Sequence, residues 1–297
     1  MALSTKTIKR RIKSIANTKK ITKAMEMISA VKMRRAVANA VATRAYADLA
    51  WQMLRDVTAK ARLKSHPLLL ERPVKKIGLI LITSNRGLAG GFSSKLLQEV
   101  HNYIKNLKDH NKVEVEVIVV GKKGRKIYQN FGHTIAAEFV KIDLTTAIAE
   151  ILPISELASR DFLEGRYDQI SVAYMNYISA ITQNPSIKQI FPLKQKNHLT
   201  PGEKPPQLQA VSNRFLFEPN PVDVLKTLLP RLIEMQLYQA VLESDASEHS
   251  ARMMAMQKAS DAAGDMIKEL NTTFNNARQA AITKEIAEVI GGAAALE

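Results

Sequence analysis

The sequence predicts an α/β protein joined to a long coiled coil, its N- and C-terminal helices paired antiparallel. Between them it predicts a domain of mainly parallel strands with flanking helices. Three observations carry this. The chain opens on 66 residues with neither proline nor glycine, the first of each being Pro67 and Gly78. After Pro230 only Gly264 breaks the run before Gly291. Between these segments, aliphatic runs alternate with stretches of helical spacing, the pattern of a parallel sheet with crossover helices.

The N-terminal segment is rich in Ala, Lys, Arg and Met, which favour helix. Ile21, Ala24, Ile28, Val31, Arg35, Ala38, Ala42, Ala45 and Leu49 follow alternate steps of three and four. Ile8, Ile12 and Ile15 sit one residue out of that register, which predicts an irregular coil there.

In the middle, KIGLILIT and VEVEVIVVG read as strands, with AAEFV and DQISVAYMNYIS as further candidates. A helix with Leu96, Leu97, Val100, Ile104 and Leu107 on one face separates the first two, and another is expected around AIAEILPISELASRDFL. Residues 192–212 are polar and proline-rich, a loop.

At the C-terminal end the same stepping runs from Leu225 through Met235, Leu242, His249, Met256 and Ala263 to Ala281, and 14 of its 17 positions are apolar. Helices this long rarely stand singly. A globular bundle is the alternative, but no third helix of comparable length appears. The expected organisation is residues 1–66 and 219–297 as the antiparallel, left-handed coil and 67–218 as a Rossmann-like central domain.

The net charge of +15 is unevenly placed: residues 1–65 carry sixteen basic against three acidic side chains, and residues 220–297 carry seven against eleven. A basic first segment and an acidic last one suit association of the two ends, with positive charge left for an outside partner. The absence of cysteine excludes disulfides and thiolate-held metals. No stretch approaches 18 apolar residues, so no membrane-spanning helix is expected. The N-terminus leads into no apolar run, unlike a secretory signal, and the helical pattern passes straight through it, against a transit peptide.

Catalytic patterns are thin. Gly87-Leu88-Ala89-Gly90-Gly91-Phe92 lies between a strand and a helix, where open α/β sheets bind ligands. Its spacing fits neither the dinucleotide fingerprint nor the P-loop, and Lys95 lies beyond two serines. A tight turn with glycines at positive φ is the simpler reading. No two of His66, His101, His110, His133, His198 and His249 share metal-ligand spacing. Glu285 and Glu288 share a helical face, more in keeping with a partner-facing surface than with catalysis. Trp51 reads as packing near a helix end. The basic first helix raises nucleic acid as a partner, but only Tyr46 and Trp51 could stack bases and no DNA-binding motif appears. The sequence therefore predicts no catalytic residue, metal or cofactor, and no nucleic-acid partner.

IKRRIKSIANTKKITKAMEMISAVKM, residues 8–33, resembles the N-terminal helix of the gamma subunits of F-type ATP synthases. ARQAAITKEIAEVIGGAAA, residues 277–295, resembles that family's C-terminal signature at Ile282, Thr283, Glu285, Glu288, Gly292, Ala293 and Ala295. TSNRGLAGGF is similar to the family's central loop, with Ala89 where cysteine is common. The resemblance implies a rotor shaft without a catalytic site, turning inside a hexamer of alpha and beta subunits. Its α/β domain would rest against the epsilon subunit and the c ring, through which protons or sodium ions flow.

It further implies that Glu248, Arg252 and Gln279 meet a loop of the catalytic subunit and that Met25, Thr283 and Glu285 lie at the hexamer. Phe215 and Glu218, with Arg44 and Tyr46, would lie at the foot beside the c ring and epsilon. The Met start and the lack of a cysteine pair favour a bacterial origin, with the chain held peripherally on the cytoplasmic face of the inner membrane.

Overall fold

The computed structural model describes residues 5–61, 66–130, 132–145, 147–193, 218 and 221–294. The chain forms two compact units, one of Met1–Ser29 with Arg252–Glu297 and the other of Ala30–Ala251. Two helices run through both: α1, Thr5–Ala61, and α5, Pro221–Ala294. The second begins before Pro230, which lies inside it, and continues through Gly291.

The larger unit holds a five-stranded sheet. Its strands are β1 (Lys76–Ile82), β2 (Glu114–Val120), β3 (Ile135–Phe139), β4 (Gln169–Tyr177) and β5 (Gln183–Phe191), in the order β3-β2-β1-β4-β5. The first four are mutually parallel and β5 runs antiparallel to β4. Helices α2 (Phe92–Asn111), α3 (Lys122–Asn130) and α4 (Leu152–Leu163) make the crossovers.

Successive side chains of a strand point to opposite faces, and here both faces are covered. Leu79, Leu81, Val117 and Val119 pack with Leu96, Val100 and Ile104 of α2. Ile80, Ile82, Ile118 and Val120 pack with Ala158 and Phe162 of α4 and with Leu225, Leu229, Leu232 and Ile233 of α5. Burial on both faces explains why these strands read as unbroken aliphatic runs. β5 gave no such signal, because Pro185 and its polar neighbours suit an edge strand.

Each unit holds contacts that involve these helices. A Cβ at Gly264 would lie 2.9 Å from Lys19 Nζ in the smaller unit. In the larger one, Lys32 binds Asp143 Oδ2, and His249 Nε2 lies 2.9 Å from the Asp143 carbonyl oxygen.

The α5 stepping is confirmed by burial: every seam position from Leu225 to Ala277 is buried or half-buried. The α1 register is not. Its inward positions are Ile8, Ile12, Ile15, Thr22, Glu26, Ser29, Met33, Ala36, Ala40 and Thr43, which continue the early isoleucine set without a shift. Ile21, Ala24, Ile28, Val31, Arg35, Ala38 and Ala42 are exposed. After the isoleucines the most buried seam positions are the small residues Thr22, Ser29, Ala36 and Ala40, which allow close helix approach, while the series of Ile21, Ile28 and Val31 faces outward. The coil is therefore regular there, with the period of about 3.5 residues that winds left-handed.

Candidate functional site

The site is built on α5, whose surroundings change along its length. Up to Leu242 its buried side chains are apolar apart from Gln236, and they lie under the sheet. From Glu243 to Ser250 every residue is buried, and all but Ala246 are polar. Lys141, in the connection after β3, has its side chain 2% exposed and places Nζ 2.6 Å from Asp245 Oδ1 and 2.7 Å from Glu248 Oε2. Burial alone would push this ammonium down, but the two carboxylates outweigh it and hold it above its ordinary value. The Thr145 N–H donates to Asp245 Oδ2 at 2.9 Å. From the β4–β5 hairpin, the Met175 carbonyl accepts from Ser247 Oγ at 3.1 Å and the Ala180 carbonyl from Ser250 Oγ. At Asp143, burial alone would raise the carboxyl, yet the Lys32 ammonium bound to it carries it below the usual range.

Beyond Ala277 the helix is exposed on every side as far as Gly291. Ile282, Ile286, Val289 and Ile290 are among the exposed large apolar residues. Their helical spacing sets them on one stripe with Gln279 and Thr283. Ile21, Ile28 and Val31 expose a second apolar series on α1, beside exposed Lys19, Lys20 and Lys23. Large apolar groups in a row on an exposed helix mark a surface that another molecule covers.

The residues implied by the resemblance fall in different places. Gln279, Thr283 and Glu285 lie together on the exposed end of α5. Met25 is half-buried in the same unit, and Arg252 is buried there. Glu248 belongs to the larger unit, its carboxylate turned to Lys141. Tyr46 and Glu218 are exposed. Phe215, the side chain of Arg44 and the 192–212 loop from residue 194 onward lie outside the described residues.

The glycine-rich turn is occupied by bonds within its own unit. Thr83 Oγ1 lies 3.1 Å from the carbonyl oxygens of Val120 and Gly121 and accepts the Gly124 N–H at 3.0 Å. Ser84 Oγ and Ser93 Oγ are 2.9 Å apart. Asn85 donates to the Lys141 carbonyl and accepts the Lys122 N–H at 3.2 Å. Gly90 takes positive φ as expected of such a turn, joined by Leu88 in place of Gly87. No group of three or more His, Asp or Glu among the described residues could hold a metal ion. None of the described helices is long and apolar enough to cross a membrane.

Sequence reasoning missed Lys141, Asp245 and the serines Ser247 and Ser250 of α5. The polar run ESDASEHS inside an apolar helix was the one visible signal of the last three, and nothing local marked Lys141.

A family model described as ATP synthase matches residues 4–296. An ATP synthase gamma chain of Roseiflexus castenholzii is 41% identical over 295 residues, covering 99% of this chain and 98% of the relative. One from Legionella pneumophila (strain Corby) is 37% identical over 291 residues, covering 98% and 99%. Among solved structures, a chain of the Tetrahymena thermophila mitochondrial ATP synthase central stalk and c-ring superposes with a TM-score of 0.61. It has 23% identity and covers 81% of this chain and 99% of that one. A chain of the Euglena gracilis mitochondrial ATP synthase in rotational state 3 gives 0.65 at 16% identity, covering 98% and 94%.

Proposed function

The chain belongs to the ATP synthase gamma chain family, and from that premise we propose that it is the central rotor shaft of an F-type ATP synthase. It carries no catalytic site of its own. By rotating, it couples proton or sodium flow through a c ring to ATP synthesis or hydrolysis at a hexamer of alpha and beta subunits. A single asymmetric rod in a threefold ring offers a different face to each catalytic subunit, so their nucleotide affinities differ in turn through unequal contacts. The coil spans 1–66 and 219–297, and the domain at 67–218 meets epsilon and the c ring. The assembly holds the chain peripherally on the cytoplasmic face of a bacterial inner membrane.

One observation carries this reading. The last turns of α5 are helical and exposed all round, yet they bear the stripe of Ile282, Ile286, Val289 and Ile290. An apolar stripe with few charges suits a bearing, because nonpolar contact is not directional and locks at no single angle. Gln279, Thr283 and Glu285 border it, and Met25 and Arg252 lie in the same unit. These five are proposed as hexamer contacts, together with Glu248. Arg44, Tyr46, Phe215 and Glu218 are proposed for the foot.

The test is gentle extraction of the chain through a tag in the 192–212 segment, with native mass and ATPase assays on the recovered material. The expected result is one copy of this chain with a hexamer of ATP-hydrolysing partners. Recovery as a monomer or homodimer without ATPase would overturn the reading.

A further inference from the structure

A helix that transmits rotation must be held against turning about its own axis, not only covered. Apolar packing does this weakly, since Leu and Met side chains tolerate repacking at modest cost. Hydrogen bonds resist more sharply, because they weaken steeply off angle. On α5 the change from one kind of contact to the other is abrupt. It occurs at Glu243, after which no residue through Ser250 is exposed.

The partners of this stretch arrive from two sides. At 100° per residue, Asp245, Glu248 and His249 share one face of α5, and Ser247 and Ser250 share the other. Lys141, Asp143 and Thr145 hold the first face: Nζ donates to Glu248 and is ion-paired with Asp245, the Thr145 amide donates to Asp245, and His249 meets the Asp143 carbonyl. The carbonyls of Met175 and Ala180 hold the second. The gripping segment is itself fixed. Asn85 ties the Lys141 carbonyl to the Lys122 amide, and Lys32 of α1 binds Asp143.

A buried ion pair contributes little to stability once desolvation is counted, and its best-attested use is to fix register. The seven polar residues are also more than packing against the sheet requires, since the preceding turns of α5 bury mainly apolar side chains, with Gln236 the one buried polar residue there.

The geometry points to a torque clutch, in which Lys141, seated by Asn85, and the hairpin carbonyls opposite fix the angular position of α5 within residues 30–251. The inference rests on the rotor reading above. Lys141 is a positioning residue, acting through Asp245 and Glu248. The asparagine of the glycine-rich turn thereby acquires a part in coupling that phosphate binding would not predict.

The experiment uses inverted membrane vesicles carrying the whole ATP synthase, with ATP hydrolysis and ATP-driven acidification measured on the same sample. Three versions of this chain are compared with the native one: Lys141→Arg, Lys141→Met with Asp245→Asn, and Ser247→Ala with Ser250→Ala. The Lys141→Met/Asp245→Asn pair leaves the formal charge of the cluster unchanged. It is expected to hydrolyse ATP within about twofold of native while acidification per ATP falls at least fivefold. Loss of stability alone would lower both together. Lys141→Arg retains both activities, and the serine pair loses at least half of its acidification per ATP. Native acidification per ATP in the folded Lys141→Met/Asp245→Asn enzyme would overturn the clutch. If that pair does not fold, an unchanged ratio in the serine pair would overturn it instead. Native vesicles in which this chain joins no ATPase would overturn the rotor reading and the clutch with it.

Discussion

His101 Nδ1 and His133 Nε2 face each other at 3.2 Å, so the contact needs one nitrogen protonated and the other bare. Burial lowers the His133 pKa below 6.5, and the charges of His101 and Lys108 lower it further. The unfolded chain then binds more protons than the folded one just below pH 6.5. Stability from this site is full above that value and declines as pH falls toward the folded pKa. The unfolding free energy of the chain should therefore drop between pH 7.5 and 5.5, and His133→Asn should flatten the slope. An unchanged slope in the variant would assign the sensitivity to another group. Legibility at this scale depends on separation along the chain. The spacing of Gly87, Gly90 and Gly91 argued against a phosphate loop from local sequence alone. The bonds that use the turn reach from Asn85 to Lys141 and from Thr83 to Gly124, and no local pattern encodes such pairs.

At the level of elements, β1 to β4 and both long helices were legible, because aliphatic runs and helical spacing report burial directly. The α1 seam was not. Its sequence offers two stripes one residue apart, and the more apolar one faces outward. Hydrophobicity could not choose between them, since in this chain an exposed stripe is the feature that a partner would cover. Gly264 offers a test of the coil. Its φ is not in the left-handed region, and a side chain there would meet only the mobile end of Lys19. Gly264→Ala should raise the unfolding free energy by up to about 1 kcal/mol through helix propensity and a less flexible unfolded chain. Denaturant titration reads this, and a loss instead would show that Lys19 is held in place.

Across the whole molecule, burial and exposure divide the labour. The sheet, α4 and the first half of α5 form a continuous apolar core, and the polar grip of Glu243–Ser250 comes directly after it. Past Ala277 the chain buries nothing among the described residues, so these last turns of α5 do not hold the fold together. A short helix alone in water is only marginally stable, so these turns add little to the stability of the fold. Deleting residues 279–297 should therefore change the unfolding free energy of the isolated chain by no more than about 0.5 kcal/mol, the usual range for surface changes. The same deletion removes the stripe of Ile282, Ile286, Val289 and Ile290, and it should weaken binding to an alpha–beta hexamer at least tenfold in a titration with purified partners. The two readouts separate the roles. A large loss of stability would mean that the tail packs on its own chain. Native binding at unchanged stability would move the hexamer contact to the exposed face of α1, where Ile21, Ile28 and Val31 are the next residues to change.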